Sequence, residues 1–447
     1  MWGGRFEEAP DDVLWAYTVS HADRRLLVDD LTGSIAHVTM LAEVGLIDAG
    51  EREVLLHGLR SILDEVADGG FTFSESDEDV HSAVERRLVE VVGEVGGKLH
   101  TGRSRNDQIA LDMRLHLRRR CDEQGGALTR FVQVLADLAE EHAETVVASY
   151  THLQQAQAVS LGHHLLAYAW MLMRDRARLG DLRVRLDVSP LGANASGGSS
   201  LPLDPGRVAK ELGMSAVFEN SLDAVSARDL LTEYTFCGTQ TMVTLSRLAE
   251  ELVLWSSSEF GWVTFADRHT TGSSALPHKK NPDVAEHARG RSADAIGALT
   301  SLLVIQKGLP LAYNSDLQGD KAHVFRVDDL VSSTLTTLGT MLEAAHFHPP
   351  SPSSWTTALD LAEALVQRGV PFRSAHEAVG LLVGRLLASD RHLGEATVDD
   401  LTAAHELFEI ADLRLVDPMV SVRRRVTPGG GSPASVRAQI EALRQRL

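Results

Sequence analysis

The stretch Ala227–Ser256 reads ARDLLTEYTFCGTQTMVTLSRLAEELVLWS and is the strongest indication of a helical fold in this sequence. Five large apolar side chains recur in it at intervals of three and four residues: Met242, Leu245, Leu248, Leu252 and Trp255. This spacing lays an apolar stripe along one side of a helix. Because the stretch contains no proline, it predicts one continuous helix of roughly 30 residues, about 45 Å long.

A second apolar repeat of the same kind lies earlier in the chain. Its members are Leu128, Phe131, Val132, Leu135, Leu138 and Ala139. Long helices cannot bury such stripes alone, so we expect them to pack as a bundle. Alternating patterns typical of strands are scarce, and Val420–Val426 is at most a short strand. The sequence therefore predicts an all-α fold.

Glycine- and proline-rich stretches divide the chain. They are Gly93–Gly97, Gly192–Pro205, Pro349–Ser354 and Pro428–Pro433. Ser432 followed by Pro433 is a typical start for a last helix. With a length of 447 residues, these breaks predict three domains: a helical N-terminal domain (1–101), a central long-helix domain (102–352) and a small helical C-terminal domain (353–447).

The charge balance narrows the classes of partner. Acidic residues number 62 against 43 basic ones, which gives a formal net charge of −19. Such a chain repels phosphate backbones, so we expect no nucleic-acid partner. A local cluster of Arg and Lys can still bind a small anionic substrate.

The cysteines and histidines give little support for a metal. Cys121 and Cys237 are far apart and form no Cys-x-x-Cys pair. The adjacent His163 and His164 point in different directions on a helix, so they indicate a metal only weakly.

No run reaches the roughly 18–20 apolar residues of a membrane span, and Met1–Phe6 does not begin a signal peptide. We therefore expect a cytoplasmic protein without a metal or a membrane span.

Three polar segments carry candidate chemistry. Thr271–Pro282 (TGSSALPHKKNP) places two serines, an asparagine and two lysines in a loop. Leu99–Gln108 (LHTGRSRNDQ) sets two arginines beside a serine and an asparagine, a combination suited to carboxylates. Ser149–Gln157 (SYTHLQQAQ) carries His152. Taken alone, each has a simpler interpretation, namely a solvated connection, a helix cap with surface charges and a structural histidine.

Taken together, the three segments resemble the argininosuccinate lyase branch of the fumarase/aspartase superfamily. Gly272–Pro282 is similar to the superfamily's signature loop, while Thr101–Gln108 and Tyr150–Gln154 resemble the argininosuccinate lyase branch. Further segments match in order and spacing: Trp2–Phe6, Asp77–His81, Asn220–Asp229 and Leu309–Lys321. The resemblance runs from residue 2 to about residue 380.

The resemblance implies a fumarase/aspartase-like fold of three domains, with a central long-helix bundle that forms the core of a homotetramer. It also implies active sites shared between subunits, a small-molecule substrate and no cofactor. The implied reaction splits argininosuccinate into arginine and fumarate by cleaving a carbon–nitrogen bond. Two alternatives stay open: a related lyase that releases fumarate from another N-substituted aspartate, and a non-catalytic paralogue.

The resemblance also implies roles for particular residues. Ser273 would be the base, with Lys279 supplying positive charge near its oxygen. His152 and Glu286 would form a pair that assists proton delivery to the leaving group. The implied contacts to the fumarate half are Ser104, Arg105, Asn106, Thr151 and Asn281. Those to the leaving-group half are Tyr313, Gln318 and Lys321, with Asp79 and Arg228 in support.

Several positions depart from the family pattern. Val19 stands where a substrate-binding serine is expected, and Thr18 or Ser20 would have to replace that hydroxyl. Further departures are His278, Ser315 and Gly319. They cluster around the half of the site implied to recognise the leaving group. The identity of the amine is therefore less settled than the reaction.

Overall fold

Helices make up most of residues 11–447, the part of the chain that this computed structural model describes. In chain order they are α1 (Asp12–Thr18), α2 (Leu27–Glu43), α3 (Ala49–Ala67), α4 (Val80–Val92), α5 (Arg105–Glu141), α6 (Leu161–Arg185), α7 (Pro205–Glu211), α8 (Ser221–Ser226), α9 (Asp229–Ser256), α10 (Asp283–Gln306), α11 (Asp320–Glu343), α12 (Ala358–Gln367), α13 (Phe372–Ala388), α14 (Val398–Ala404), α15 (Pro418–Arg423) and α16 (Pro433–Arg444). The prediction of an all-α fold is confirmed. The matched segment Trp2–Phe6 lies outside the described residues.

The strands form small two-stranded sheets. Their bounds are β1 (Val146–Thr151), β2 (Gln154–Ser160), β3 (Val188–Ser189), β4 (Ala216–Val217), β5 (Val263–Thr264), β6 (Thr271–Gly272), β7 (Lys280–Asn281) and β8 (His346–Phe347). Strands β1 and β2 form an antiparallel hairpin, β5 pairs with β8 and β6 with β7 in the same antiparallel sense, and β3 and β4 are parallel. The hairpin β1–β2 was not predicted.

The predicted long helix at Ala227–Ser256 is α9, a helix of 28 residues that begins two residues later than predicted. Its stripe from Met242 to Trp255 is at most 4% exposed. The second stripe, from Leu128 to Ala139, is buried in α5. Because the α9 stripe is already covered within one chain, it does not by itself require a second subunit.

The proposed short strand at Val420–Val426 was wrong. Residues up to Arg423 belong to α15, which begins at Pro418. The Asp417 side chain accepts a hydrogen bond from the Met419 N–H at 2.8 Å. An aspartate cap followed by proline is a strong helix start, so local capping overrides the β-branched composition.

The chain divides into two compact units. The first comprises Met1–Gly125, Ala177–Gln240 and Ala293–Val331. An apolar core in it joins α2, α3 and α4 to parts of α5 and α7, with Leu31, Leu41, Leu59, Leu88, Leu111 and Val208 buried.

The second unit comprises Gly126–Arg176, Thr241–Ser292 and Ser332–Leu447. One of its cores gathers α12, α13 and α14 around Leu361, Leu365, Leu382, Leu386 and Leu401. The long helices α5, α6, α9, α10 and α11 each contribute residues to both units. The division into domains 1–101, 102–352 and 353–447 stays a prediction. Among the helices described here, none combines the length and apolar character needed to cross a membrane.

Candidate active site

A cavity of about 490 Å³ lies in the first unit. Its walls are Asp23, Glu78, Asp79, His81, Glu85, His100, Ser104, Arg105, Asn106, Ile109, Tyr313, Gln318 and Lys321. Seven of these were predicted as substrate contacts, and they come from three separate segments: Asp79, Ser104 to Asn106, and Tyr313 to Lys321. The fold thus brings residues more than 200 positions apart into one cavity.

Two of the predicted contacts stand at the start of α5. The Ser104 hydroxyl accepts a hydrogen bond from the Asn106 N–H at 3.2 Å, and the Asn106 amide donates to the Ala195 carbonyl at 3.0 Å. The simpler interpretation of Ser104 as a helix cap is therefore correct. It is also compatible with substrate binding, because the start of a helix favours anions.

Asp107 fastens this helix start to the loop that follows β3. Its carboxylate accepts N–H bonds from Ser104 at 2.9 Å, Gly192 at 3.0 Å and Asn194 at 2.8 Å. Burial raises the pKa of Asp107 despite these three donors. Gly192 has φ of 106°, and a Cβ there would lie 2.7 Å from the Pro205 ring, so glycine is required.

Arg105 is held by two acidic neighbours on the cavity wall. Its guanidinium lies 2.9 Å from the Glu78 carboxylate and 3.1 Å from that of Asp79. Asp79 also caps α4 by accepting from the Ser82 N–H at 2.7 Å. The arginine is thus oriented by the protein itself, with part of its charge neutralised.

Lys321 reaches the cavity from a buried ion-pair chain. Its ammonium lies 3.0 Å from one oxygen of Asp320, and the Arg228 guanidinium lies 2.6 Å from the other. All three side chains are at most 3% exposed. Arg228, predicted as a supporting contact, does not line this cavity among the described residues. Arg228 forms an ion pair with Asp320, and Asp320 also forms an ion pair with Lys321.

Tyr313 is a half-buried wall residue. Burial, together with the nearby Asp320 carboxylate, raises the pKa of its hydroxyl to about 12. It is therefore a neutral hydrogen-bond donor at physiological pH. The preceding Ala312 has φ of 65°, which is rare for a residue other than glycine and marks local strain beside the cavity.

Some wall residues were not predicted as site residues, among them Asp23, His81, Glu85 and His100. Burial raises the pKa of Asp23 even though its carboxylate accepts the Val80 N–H at 3.1 Å. Burial and the Arg103 charge lower the pKa of His100. His81 belongs to the segment Asp77–His81 that matches the family, but no role in the site was predicted for it. No local pattern marks the others, because Asp23, Glu85 and His100 come from three separate elements that meet only in the folded chain.

The remaining predicted residues lie in the second unit. Thr151 ends β1, and His152 and Leu153 form the two-residue turn before β2, with φ values of 54° and 56°. Two positive φ values fit a tight hairpin turn but are unusual for these residue types. The Tyr150 ring packs 6.0 Å from Phe260 and 5.9 Å from Trp262. His152 is therefore exposed at the tip of an anchored hairpin.

The signature-like loop spans the residues between β6 and β7. The Ser273 hydroxyl oxygen accepts backbone N–H bonds from Ala275 at 3.3 Å and Leu276 at 3.1 Å. Donors aimed at an oxygen stabilise its negative form, so they add to the charge predicted from Lys279. The Asn281 amide faces the Gly272 carbonyl at 3.5 Å across the loop base.

Lys279 and Glu286 are exposed, on the loop and on the first turn of α10. Glu286 lies 3.8 Å from Arg289. Across the described part of the chain, His152 and Glu286 form no salt bridge with each other. The second group of site residues is therefore Thr151, His152, Ser273, Lys279, Asn281 and Glu286, all in the second unit.

The long-helix fold and the family matches together show a lyase of the fumarase/aspartase class. A family model described as lyase matches residues 4–297, and a model described as argininosuccinate lyase C-terminal matches residues 355–423. A class II fumarase from Schistosoma mansoni shares the fold, with a TM-score of 0.74, 16% identity, and coverage of 92% of this chain and 93% of that one. The predicted fumarase/aspartase-like fold is confirmed.

Proteins with higher sequence identity to this chain show which family within this class it belongs to. The structure of EDDS lyase in complex with formate has a TM-score of 0.82 and 27% identity, and covers 97% of this chain and 88% of that one. An argininosuccinate lyase from Frankia casuarinae is 48% identical over 100% of this chain and 98% of its own length. The chain belongs to the argininosuccinate lyase family. The predicted resemblance is confirmed.

Proposed function

We propose that the protein cleaves argininosuccinate into arginine and fumarate. The observation that carries this is the cavity in which Ser104, Arg105 and Asn106 meet Tyr313, Gln318 and Lys321. Family membership supplies the reaction, and the cavity supplies groups for both halves of such a substrate. The substrate's carboxylates meet guanidinium, ammonium and amide donors.

Ser273, as its alkoxide, starts the reaction by taking a proton from the carbon next to a carboxylate of the succinyl half, and it becomes a neutral hydroxyl. The electron pair left on that carbon forms the new carbon–carbon double bond, and the pair of the breaking carbon–nitrogen bond leaves with nitrogen. His152, assisted by Glu286, delivers a proton to that nitrogen. The proposal for Ser273 is supported by the two N–H groups that face its oxygen.

The other groups divide between the two halves of the substrate. Negative charge builds on the carboxylate beside the deprotonated carbon, and preorganised donors lower the barrier there. We assign this role to Lys279, Asn281, Thr151, Ser104, Arg105 and Asn106. The arginine half belongs to Tyr313, Gln318 and Lys321, with Asp79 and Arg228 holding neighbouring groups in place.

The proposal includes a homotetramer with sites shared between subunits. It is supported by an exposed apolar face on α10, where Ile296, Leu303 and Val304 are 48%, 54% and 61% exposed. Gly297 and Thr300 are also exposed on this helix, and small residues allow close helix contact. The same proposal puts the protein in the cytoplasm, where the buried thiols Cys121 and Cys237 fit a reducing compartment.

A second candidate, a lyase acting on another N-substituted aspartate, is favoured by Val19. The Thr18 hydroxyl donates to the Leu14 carbonyl at 2.8 Å, and the Ser20 oxygen faces the Ala22 N–H at 3.4 Å. Both alternative hydroxyls therefore make local contacts. Only Ser20 keeps a hydroxyl hydrogen for another acceptor, and it stands one residue beyond the position of the expected serine.

A substrate panel tests the function. Purified protein is given argininosuccinate, adenylosuccinate and ethylenediamine-disuccinate, and fumarate is followed by its ultraviolet absorbance. The highest kcat/KM is expected for argininosuccinate, with arginine formed in equal amount. A higher value for another substituted aspartate would replace the arginine assignment, and fumarate from none of them would remove the lyase proposal.

A further inference from the structure

Beneath the cavity lies a buried cluster that the proposed reaction does not use. It consists of Asp30 on α2, His81 on α4 and Asp112 on α5, which are 1%, 6% and 0% exposed. The His81 Nδ1 lies 2.8 Å from Asp30 Oδ1 and 3.6 Å from Asp112 Oδ2. One nitrogen or oxygen atom from each side chain lies within 4.8 Å of the others.

Within this cluster, one oxygen of Asp30 receives two hydrogen bonds, while the other three carboxylate oxygens receive none from the residues that the structure describes. Asp30 Oδ1 accepts from both His81 and the Gln108 side-chain amide. Asp30 Oδ2 and both oxygens of Asp112 have no donor among residues 11–447 when both groups are ionised, but the two carboxyl groups are close enough to hydrogen-bond to each other once one of them is protonated. Two ionised carboxylates this close and this deeply buried repel each other, and each also loses its hydration.

The surrounding charges do not balance two negative groups. The buried Arg103 faces both carboxylates, but its guanidinium donates to the Ser34 hydroxyl at 3.0 Å. Asp29, on the same helix as Asp30, adds a third negative group near Asp112, although Asp29 itself lies 3.2 Å from His116 and 3.4 Å from Arg119. Burial first, and then Asp30 and Asp29, raise the pKa of Asp112 well above its usual range.

Asp30 differs from Asp112 in its donors. Burial alone would raise the pKa of Asp30, but the hydrogen bond from His81, the charge of Arg103 and the hydrogen bond from Gln108 leave it below its usual range. One carboxyl group of the pair is thus suited to hold a proton and the other to stay ionised.

We propose that Asp30 and Asp112 share a single proton, and that this pair positions His81 with Nδ1–H on Asp30 and Nε2 toward the cavity. Asp112 holds the proton and donates it to Asp30, which remains the acceptor for His81. A histidine with one nitrogen fixed in this way has a defined tautomer. Asp30 and Asp112 are positioning residues that act through His81.

The proposal applies to the buried pair whatever the substrate is, while the expected effect on catalysis rests on the proposed function. Its first tests therefore need no substrate. Infrared spectra of the wild-type protein at pH 7 should contain the C=O stretch of a protonated, buried carboxyl group. That band should be lost in Asp112→Asn and kept in Asp328→Asn, a buried aspartate bonded to Arg120 and Gln124.

Thermal stability against pH gives a second readout. The folded protein holds a proton on Asp112 that the unfolded chain releases above about pH 4, so this group weakens the fold as pH rises toward its folded pKa. The Asp112→Asn variant has no such proton to release. The Tm of Asp112→Asn minus that of the wild type should therefore rise between pH 5 and pH 8, by roughly 2 °C or more. A pH-independent difference, with no carboxyl band, would overturn the proposal.

Activity then separates positioning from bulk stability. His81 lines the cavity, so a fixed Nε2 there is placed to orient the bound substrate, a role that the proposed reaction steps do not include. Asp30→Asn should therefore lower kcat at least tenfold with little change in KM, because a neutral amide holds the His81 N–H less firmly than a carboxylate does. Asp112→Ala should also lower kcat, and Asp112→Asn should restore it toward wild type, since an amide can donate to Asp30 as the protonated acid does. Equal losses in Asp112→Ala and Asp112→Asn would contradict the shared proton. So would one tightly bound divalent ion per chain, detected by metal analysis and lost in Asp112→Asn.

Discussion

At the scale of single residues, Ser273 is the proposed base, and it lies on the exposed loop between β6 and β7. Its hydroxyl makes no packing contact that the fold depends on, since the loop around it is largely exposed. We expect Ser273→Ala to lower kcat by about 10²–10⁴-fold, the usual contribution of a positioned base, with an unchanged Tm. The neighbouring Ser274→Ala is the matched control and should keep wild-type turnover. Equal turnover of the two variants would remove Ser273 from its role.

Val19 tests the recognition of the amine. Thr18 already donates its hydroxyl hydrogen to the Leu14 carbonyl, and Ser20 is shifted by one residue from the expected position, so we expect neither to replace the serine hydroxyl in full. Val19→Ser should then lower the KM for argininosuccinate about tenfold with little change in kcat, as a uniform binding contact does. Steady-state kinetics give both constants. An unchanged KM would show that a neighbouring hydroxyl already serves.

Much of the candidate site could be predicted at this scale because its residues lie in short, dense motifs. Ser104 to Asn106 and Tyr313 to Lys321 were quoted from such motifs, and they line one cavity. Asp23 and Glu85 could not be found in the same way. Each is an isolated acid in an ordinary helical context, and its importance depends on neighbours from other elements.

At the scale of elements, the prediction worked where periodicity was long. Helix α9 was found within two residues because the apolar repeat from Met242 to Trp255 lies in a long stretch without proline. The hairpin β1–β2 was missed because its turn is His152–Leu153 rather than a pair typical of tight turns. The α15 helix was missed because the cap formed by Asp417 and Pro418 outweighs a β-branched composition.

The ion-pair chain between α9, α11 and the cavity gives an element-scale prediction. Arg228→Ala leaves Asp320 buried and opposite only Lys321, so we expect unfolding free energy to fall by about 3–5 kcal/mol. Arg326→Ala is the control, because its pair with Asp294 is exposed and should cost at most about 1 kcal/mol. Denaturant unfolding measures both. Similar losses in the two variants would contradict a structural role for Arg228.

At the scale of the whole molecule, α10 presents an apolar face that a single chain leaves exposed at Ile296, Leu303 and Val304. We expect the wild type to sediment as a tetramer and Leu303→Glu to dissociate, because a charge would replace an apolar contact at the interface. Leu381→Glu on α13 is a matched control, since Leu303 and Leu381 are 54% and 57% exposed. Sedimentation velocity distinguishes them. A tetramer that survives Leu303→Glu would exclude this face as the interface.

The domain organisation was the hardest part to predict from sequence. Both compact units are assembled from three separated stretches of chain, and α5, α6, α9, α10 and α11 contribute to both. Breaks such as Gly192–Pro205 mark loops, but a loop does not show which helices pack together. Packing of distant stretches is decided by tertiary contacts that no local pattern records.

The measurement that tests the account most directly mixes two inactive proteins. Ser273→Ala lacks the base and His152→Asn lacks the proton-delivering group, so each alone should release little fumarate from argininosuccinate. When the two are mixed, dissociated and reassembled, some sites combine an intact Ser273 from one chain with an intact His152 from another. The account predicts that fumarate release returns to a substantial part of the wild-type rate. No recovery in a mixture that has formed mixed tetramers, or full activity of a wild-type monomer, would contradict it.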